Sequence, residues 1–324
     1  MATNMSIKQS KFICLGGIEV YVIKKLSVMV FTLWVITTVT FLIMHIIPGD
    51  PFSSDAKIFP EEVIQNMRAK YHLDEPLWNQ YVAYLDGVVH FDFGESVQST
   101  GQGVSEIITT GFGPSAIIGL QALVISLLVG IAAGTFAALY HGKVIDYSVS
   151  LLAILGISIP SFILAPLFIQ VFAIQFELLP VASWGTFEHT VLPSFALALG
   201  PIAVITRFVR SNMIEVLQSD YIKLARAKGI PIKKIIIRHA LRNAIVPVLT
   251  FVGPLMAGLL TGTFVIEKIF SIPGLGKYFV DSIFNRDYPV IMGTTIFYSA
   301  LLIVCIFITD IIHRIVDPRI RSIT

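Results

Sequence analysis

Charged residues are the first shortage. Asp, Glu, Lys and Arg make up 14% of the 324 residues, against about 25% in soluble globular proteins. So few charges cannot cover a water-facing surface, so much of this chain must face lipid. Cysteine is scarcer still: Cys14 and Cys305 lie far apart and form no CxxC, no metal pattern and no disulfide framework. A Gly-x-x-x-x-Gly-Lys-[Ser/Thr] phosphate loop is missing. Its nearest stretch, Gly274-Leu-Gly-Lys277, lacks the leading glycine and the hydroxyl, and reads as a turn. No His-Glu-x-x-His occurs. Among the scattered histidines only His45 sits in the interior of an apolar run, where a packed or interfacial ring outweighs a metal ligand. These absences argue against an enzyme and against a cofactor or metal held by this chain.

Carboxylates are missing from the middle of the apolar runs, and Asp310 stands at the end of the last one. Ion-coupled carriers usually place ionisable groups inside their helices, although some sodium sites use backbone carbonyls instead. A secondary carrier or channel is therefore the distant alternative. If the chain moves a solute uphill, its energy is expected to come from a partner.

What the chain does have is length in its apolar runs. About 20 apolar residues cross a bilayer core as a helix, and hydrophobic residues are 55% of the whole. Six stretches free of Asp, Glu, Lys and Arg meet or approach that length: Leu26 to Gly49, Ile107 to Tyr140, Tyr147 to Phe176, His189 to Thr206, Asn243 to Ile266 and Tyr288 to Thr309. The fourth can extend past Arg207 toward Met213. Lipid offers no hydrogen-bond partners, so each must be helical; the alternating polarity of barrel strands is not seen. The first run reads as a signal-anchor rather than a cleavable signal. The fold class is all-α, a polytopic membrane protein with six transmembrane helices.

Basic residues set the orientation. Lys8, Lys11, Lys24, Lys25, Lys143, Arg207, Arg210, Lys223, Arg226, Lys228, Lys233, Lys234, Arg238, Arg242, Arg314, Arg319 and Arg321 fall on one side, together with both termini, and only Lys57, Arg68, Lys70, Lys268, Lys277 and Arg286 on the other, so the first side is expected to be cytoplasmic. The chain then divides into an N-terminal arm (1–25), a first span (26–49), an outer cap loop (50–110), a five-helix core (111–313) that includes a cytoplasmic loop (211–242), and a tail (314–324). In the cap, Val63, Met67 and Tyr71 mark one short helix and Leu77, Tyr81 and Leu85 another. Its aromatic segment, Trp78, Tyr81 and Tyr84, either receives an external partner at the outer mouth or simply folds the loop. In the basic loop, Ser219 and Gly229 cap one short helix and Pro231 suits the first turn of the next.

That loop reads Asp220-Tyr-Ile-Lys-Leu-Ala-Arg-Ala-Lys-Gly229-Ile-Pro231, then Arg238-His-Ala-Leu-Arg-Asn243-Ala-Ile-Val-Pro247. Taken alone it is an ordinary basic inner loop. As an ordered string it resembles the EAA loop of ABC importer permeases, in the form used by the dipeptide and oligopeptide branch. The interval from Gly229 to Pro247 is longer than in the general family signature and is similar to the peptide branch. Other blocks resemble the same branch: His45-Ile-Ile-Pro-Gly-Asp-Pro-Phe52, Leu73-Asp-Glu-Pro-Leu77, Asp92-Phe-Gly94 with Ser96, Phe270-Ser-Ile-Pro-Gly-Leu-Gly276, Asp287-Tyr-Pro289 and Asp317-Pro-Arg-Ile-Arg321. Most of these are expected to be architectural turns.

The resemblance implies a type I ABC importer permease fold. It implies a homologous second permease, two cytoplasmic ATPase subunits that hold ATP and Mg, and an extracytoplasmic solute-binding protein, with no nucleic acid. It makes Asp220, Tyr221, Ala225, Arg226, Ala227, Lys228, Gly229, Ile230 and Pro231 the ATPase-coupling element. Ala225, Ala227 and Gly229 would supply a small contact surface. The substrate implied first is a peptide; nickel or a metal–chelator complex is the alternative.

Overall fold

The computed structural model describes residues 2–46, 65, 74–99 and 101–316. Its helices are α1 (Ala2–Ile46), α2 (Leu77–Val89), α3 (Val104–Leu139), α4 (Val144–Ser158), α5 (Ser161–Phe168), α6 (Glu188–Gln218), α7 (Asp220–Ala227), α8 (Ile232–Lys234), α9 (Leu241–Leu260), α10 (Phe264–Ile269), α11 (Leu275–Asn285) and α12 (Tyr288–Val316). Two π-helical stretches continue α5 (Ile169–Gln175) and join α8 to α9 (Ile235–Ala240). Among the described residues the extended structure is one bridge, Glu95 with Gly103. The expected helix at Val63, Met67 and Tyr71, the Pro48 to Phe52 block and the tail from Asp317 lie outside the described residues.

Among the described residues five segments are long and apolar enough to cross a bilayer: Val22–Ile46, Val104–Leu139, Glu188–Gln218, Ile232–Ile269 and Tyr288–Ile312. The third expected span, Tyr147 to Phe176, is not one straight helix. It is a broken pair, Val144–Ser158 and Ser161–Gln175, bent by 104°. Pro160 is the cause. The residue before a proline is pushed out of the helical region, and Ile159 sits at φ −96°, ψ 116°. The Pro160 carbonyl then accepts the Ile163 and Leu164 amides and starts α5 afresh. The fourth span outruns its expected end at Thr206, because Arg207 is exposed and Arg210 has a carboxylate partner. α3 begins at Val104, ahead of the Gly111 boundary, with Val104 and Ile107 buried against Leu275 and Val290.

α3 is the central post. Lipid gives apolar helices no reason to associate, so close packing must do it, and small residues permit that. Gly130-Ile-Ala-Ala-Gly134 is such a small-xxx-small pattern facing α6. A Cβ on Gly130 would fall 2.8 Å from the Ile205 side chain, and one on Gly134 would fall 2.6 Å from the Thr206 carbonyl oxygen. α9 crosses the same post at Gly119, where a Cβ would meet the Leu259 carbonyl at 2.2 Å, and α12 approaches α9 at Gly253, beside Thr309. α1 stands at the edge, tied to α12 by the Lys25–Asp310 ion pair.

Away from α7, at the other end of the bundle, the turn-like motif blocks become joints. Glu267 is 2% exposed. Ser115 Oγ donates to Glu267 Oε1 (2.7 Å), the Lys277 amide donates to its Oε2 (3.1 Å), and the Leu275 amide donates to Ser115 Oγ (2.9 Å). A carboxylate and a hydroxyl from elsewhere in the chain thus satisfy the free amides that begin α11, where the helix dipole also favours negative charge. Gly262, Gly274 and Gly276 leave the room: a Cβ on any of them would fall within 3.0 Å of the Glu267 carboxylate. Asp287, at the start of α12, accepts from Ser96 Oγ and from the Gln98 amide (3.3 Å), so blocks far apart in sequence meet. In this respect they are architectural, as expected.

Close approach makes a direct prediction. Gly134→Val is expected to lower stability by about 1–3 kcal/mol, the usual cost of overpacking, read as earlier thermal unfolding of the detergent-solubilised protein. Gly113→Ala, on the same helix but with nothing within 4 Å of the added carbon, is expected to leave it unchanged. Equal behaviour of the two variants would remove helix proximity from the explanation.

Candidate functional site: an exposed helix at one end of the bundle

α6 ends at Ser219, which turns extended (ψ 152°) and lets α7 leave at a new angle. Ser219 stands at the N-cap position but does not cap with its side chain; its Oγ donates back to the Val216 carbonyl. Asp220 occupies the first turn and Arg226 the last, each at the helix end that its charge favours. α7 closes with two reversed bonds, Gly229 N–H to Arg226 O (2.9 Å) and Ile230 N–H to Ala225 O (3.2 Å), the Schellman arrangement. Gly229 is the left-handed residue this requires, at φ 73°. No neighbour lies within 4 Å of its absent Cβ, so the demand for glycine comes from the backbone alone. Pro231 stands just before α8 rather than in its first turn, and its carbonyl accepts the Lys234 and Ile235 amides.

α7 has two faces. Ile222 and Ala225 point inward, into an apolar cluster with Val209 and Met213 of α6, Ile235 and Ala240 of the π turn, and Ala244 and Val248 of α9. Ala225 therefore does not join Ala227 and Gly229 in an outward small surface; it is used up fastening α7 to its own spans. The outward face carries Tyr221, Leu224, Ala227 and Lys228, and Ile232 follows. Leu224 is 56% and Ile232 55% exposed, an apolar patch edged by Asp220, Arg226 and Lys228. Polar bonds fix the base: Asn243 Nδ2 donates to Tyr221 Oη (2.7 Å), and Asn212 Nδ2 donates to the Ala244 carbonyl (3.2 Å). The Arg238-His239 block lies in the π turn that feeds directly into the fifth span. α7 is thus seated on the ends of two spans with a free apolar face.

Sequence reading missed a second feature beside it. Asp146, 1% exposed, is gripped at the α3–α4 corner. Arg210 of α6 donates to both its oxygens, through Nε to Oδ1 and through Nη2 to Oδ2 at 2.8 Å. The Gly142 amide donates to Oδ2 (3.0 Å), and His141 Nδ1 lies 2.9 Å from the same atom. Arg210 was legible only as one more basic residue of the inner side. Its partner is a single carboxylate 64 positions away in sequence, and no local spacing announces such a pair.

A bundle of long apolar helices with a short exposed helix at its end defines a class: an integral membrane protein. Comparison with known proteins gives the family. Residues 130–322 match the inner membrane component of binding-protein-dependent transport systems, and residues 18–113 match the N-terminal part of such a membrane component. The chain belongs to this family, and is a multi-pass permease subunit of an ABC importer. It is 51% identical to the dipeptide transport system permease protein DppB of Bacillus subtilis, over 93% of this chain and 97% of that one. To the oligopeptide transport system permease protein OppB of Salmonella typhimurium it is 41% identical, over 90% and 95%. A chain of the MetNI methionine ABC transporter, solved in inward-facing conformations, superposes with a TM-score of 0.51 at 18% identity. That match covers 67% of this chain and 96% of that one, and shows the type I importer fold.

The clamp makes a graded prediction. Arg210→Met strands the buried Asp146 carboxylate, a change that typically costs roughly 3–5 kcal/mol; here the Gly142 amide and His141 lessen it. Arg210→Lys keeps the charge but loses the two-pronged grip. Abundance in the membrane and melting temperature should fall in the order wild type, Arg210→Lys, Arg210→Met. Asp146→Asn with Arg210→Met should recover part of the loss. A double variant worse than Arg210→Met alone would show that the pair is not the unit.

Proposed function

We propose that this chain forms half of a translocation path for peptides, driven by ATP hydrolysed on partner subunits. The observation that carries the coupling is α7: a short stiff helix, bolted by Ile222, Ala225 and Tyr221 to the ends of α6 and α9, with Leu224, Ala227, Lys228 and Ile232 left outward. Asp220, Tyr221, Ala225, Arg226, Ala227, Lys228, Gly229, Ile230 and Pro231 make up this lever. Movement of α7 reaches α6 through apolar packing and α4 through the Asp146–Arg210 clamp. Pro160 supplies a joint at which the α4–α5 pair can bend. ATP and Mg belong to two cytoplasmic ATPases, a homologous permease supplies the other half of the path, and an extracytoplasmic binding protein delivers the solute. Both termini and α7 lie on the cytoplasmic side in this reading, which the Lys and Arg distribution supports.

Peptide is favoured because the relatives named above are dipeptide and oligopeptide permeases over nearly their full length. Their names weigh against nickel or a metal–chelator complex. Both Glu267 and Asp146 are held by partners within this chain, which weighs against an ion-coupled carrier.

Two measurements test this reading. In the assembled importer, peptide uptake should persist when the proton gradient is collapsed at constant ATP; loss of uptake under those conditions overturns it. Gly229→Val, which forces a β-branched residue into left-handed backbone at roughly 1–2 kcal/mol, should insert at normal abundance yet lose ATPase co-purification or uptake. Ala227→Glu should act similarly, and Lys233→Gln should be milder. Full uptake by Gly229→Val at normal abundance would take Gly229 out of the lever.

A further inference from the structure

The cap helix α2 does not stand clear of the membrane span. Tyr81 Oη lies 2.7 Å from Thr38 Oγ1 of α1, and Thr38 is about 12 Å along the helix axis from Ile46. Phe41 of α1 packs against the rings of Tyr81 and Tyr84, with centroids at 5.3 and 5.6 Å, and Gln80 Oε1 lies 2.9 Å from His45 Nε2. Every one of these α1 residues falls inside the apolar span Val22–Ile46. α2 is therefore held by side-chain contacts against the apolar length of a transmembrane helix.

Its surface divides into three sectors around the axis. Gln80, Tyr81 and Tyr84 face α1. Asn79, Asp86 and His90 form an exposed polar sector. Between the two run Trp78, Val82 and Val89, at one, two and three turns' spacing, 71%, 48% and 73% exposed; Phe91 follows, 76% exposed. An apolar stripe beside a polar one is what a helix lying in the plane of the interface presents. The neighbouring surface of α1 continues the stripe, since Val35, Val39, Leu42, Ile43 and Ile46 are all exposed.

We propose that α2 is an in-plane interfacial helix whose Trp78–Val82–Val89 face takes lipid acyl chains, rather than a water-borne cap that offers its aromatics to an external protein. The occupant is lipid because the stripe is continuous with the exposed apolar face of a transmembrane helix and because α2 is bonded to that helix within its apolar length. The proposal rests on the chain spanning a membrane and not on which solute it carries.

The test is site-directed spin labelling in the assembled importer, reconstituted in lipid vesicles, with Cys14 and Cys305 replaced by alanine. Single cysteines are placed in turn at Val82, Val89, Ala83 and Asp86, all exposed positions where a label fits without repacking. Collision rates with oxygen, which concentrates in lipid, and with a water-soluble nickel chelate are compared. The expected result is an oxygen-to-nickel ratio several-fold higher at Val82 and Val89 than at Ala83 and Asp86. High nickel accessibility at Val82 and Val89 would place α2 in water and overturn the proposal. Low accessibility to both reagents there would mean that a protein covers the stripe, and would overturn it equally.

Discussion

A bilayer gives the backbone no hydrogen-bond partner, and it gives an apolar side chain no reason to leave it. The first fact makes the helices compulsory. The second means that helices meet only where packing is close or a polar joint holds them. In this permease the close packing is concentrated on α3, whose Gly119, Gly130 and Gly134 let α9 and α6 approach to backbone contact. Those two helices are the ones that carry α7 between them. α7 is thus attached to the most tightly packed part of the bundle.

Polar joints complete the assembly at the ends. Asp146 with Arg210, Glu267 with Ser115 and the α11 amides, Ser96 with Asp287, and Lys25 with Asp310 each link segments distant in sequence. A buried ion pair is seldom a net source of stability, but breaking one partner away is costly. Such joints therefore specify which helix ends meet more than they hold the bundle together. The clamp at Asp146 fixes the bent α4–α5 pair to the helix that leads into α7.

The short helix α7 was legible because its signals are local. A serine before an acidic first turn, a glycine after a basic last one and a following proline bracket Asp220–Ala227 closely. The direction of its side chains was not legible: Ala225 reads as part of a small outward surface, yet it packs under the helix against α6 and α9. In the same way, Tyr147 to Phe176 is an unbroken apolar run, and composition alone does not register that Pro160 turns it by 104°. Glu267 falls just past an apolar run and looks like a loop acid. Only the glycines gathered from two turns, with Ser115, make it the cap of another helix.

The sequence by itself determined that this chain is helical, that it crosses a membrane several times, and which stretch forms the short helix between two spans. Each of these follows from local physics: the length of an apolar run, the lack of hydrogen-bond partners in lipid, the capping chemistry of a single turn. Tertiary structure decided which glycines are contact points and which stand in open space, which carboxylates are joints, where the third span breaks, and how deep α2 sits against α1. Those depend on distances between residues such as Asp146 and Arg210, or Thr38 and Tyr81. Nothing in the chain between them encodes those distances until the helices have packed.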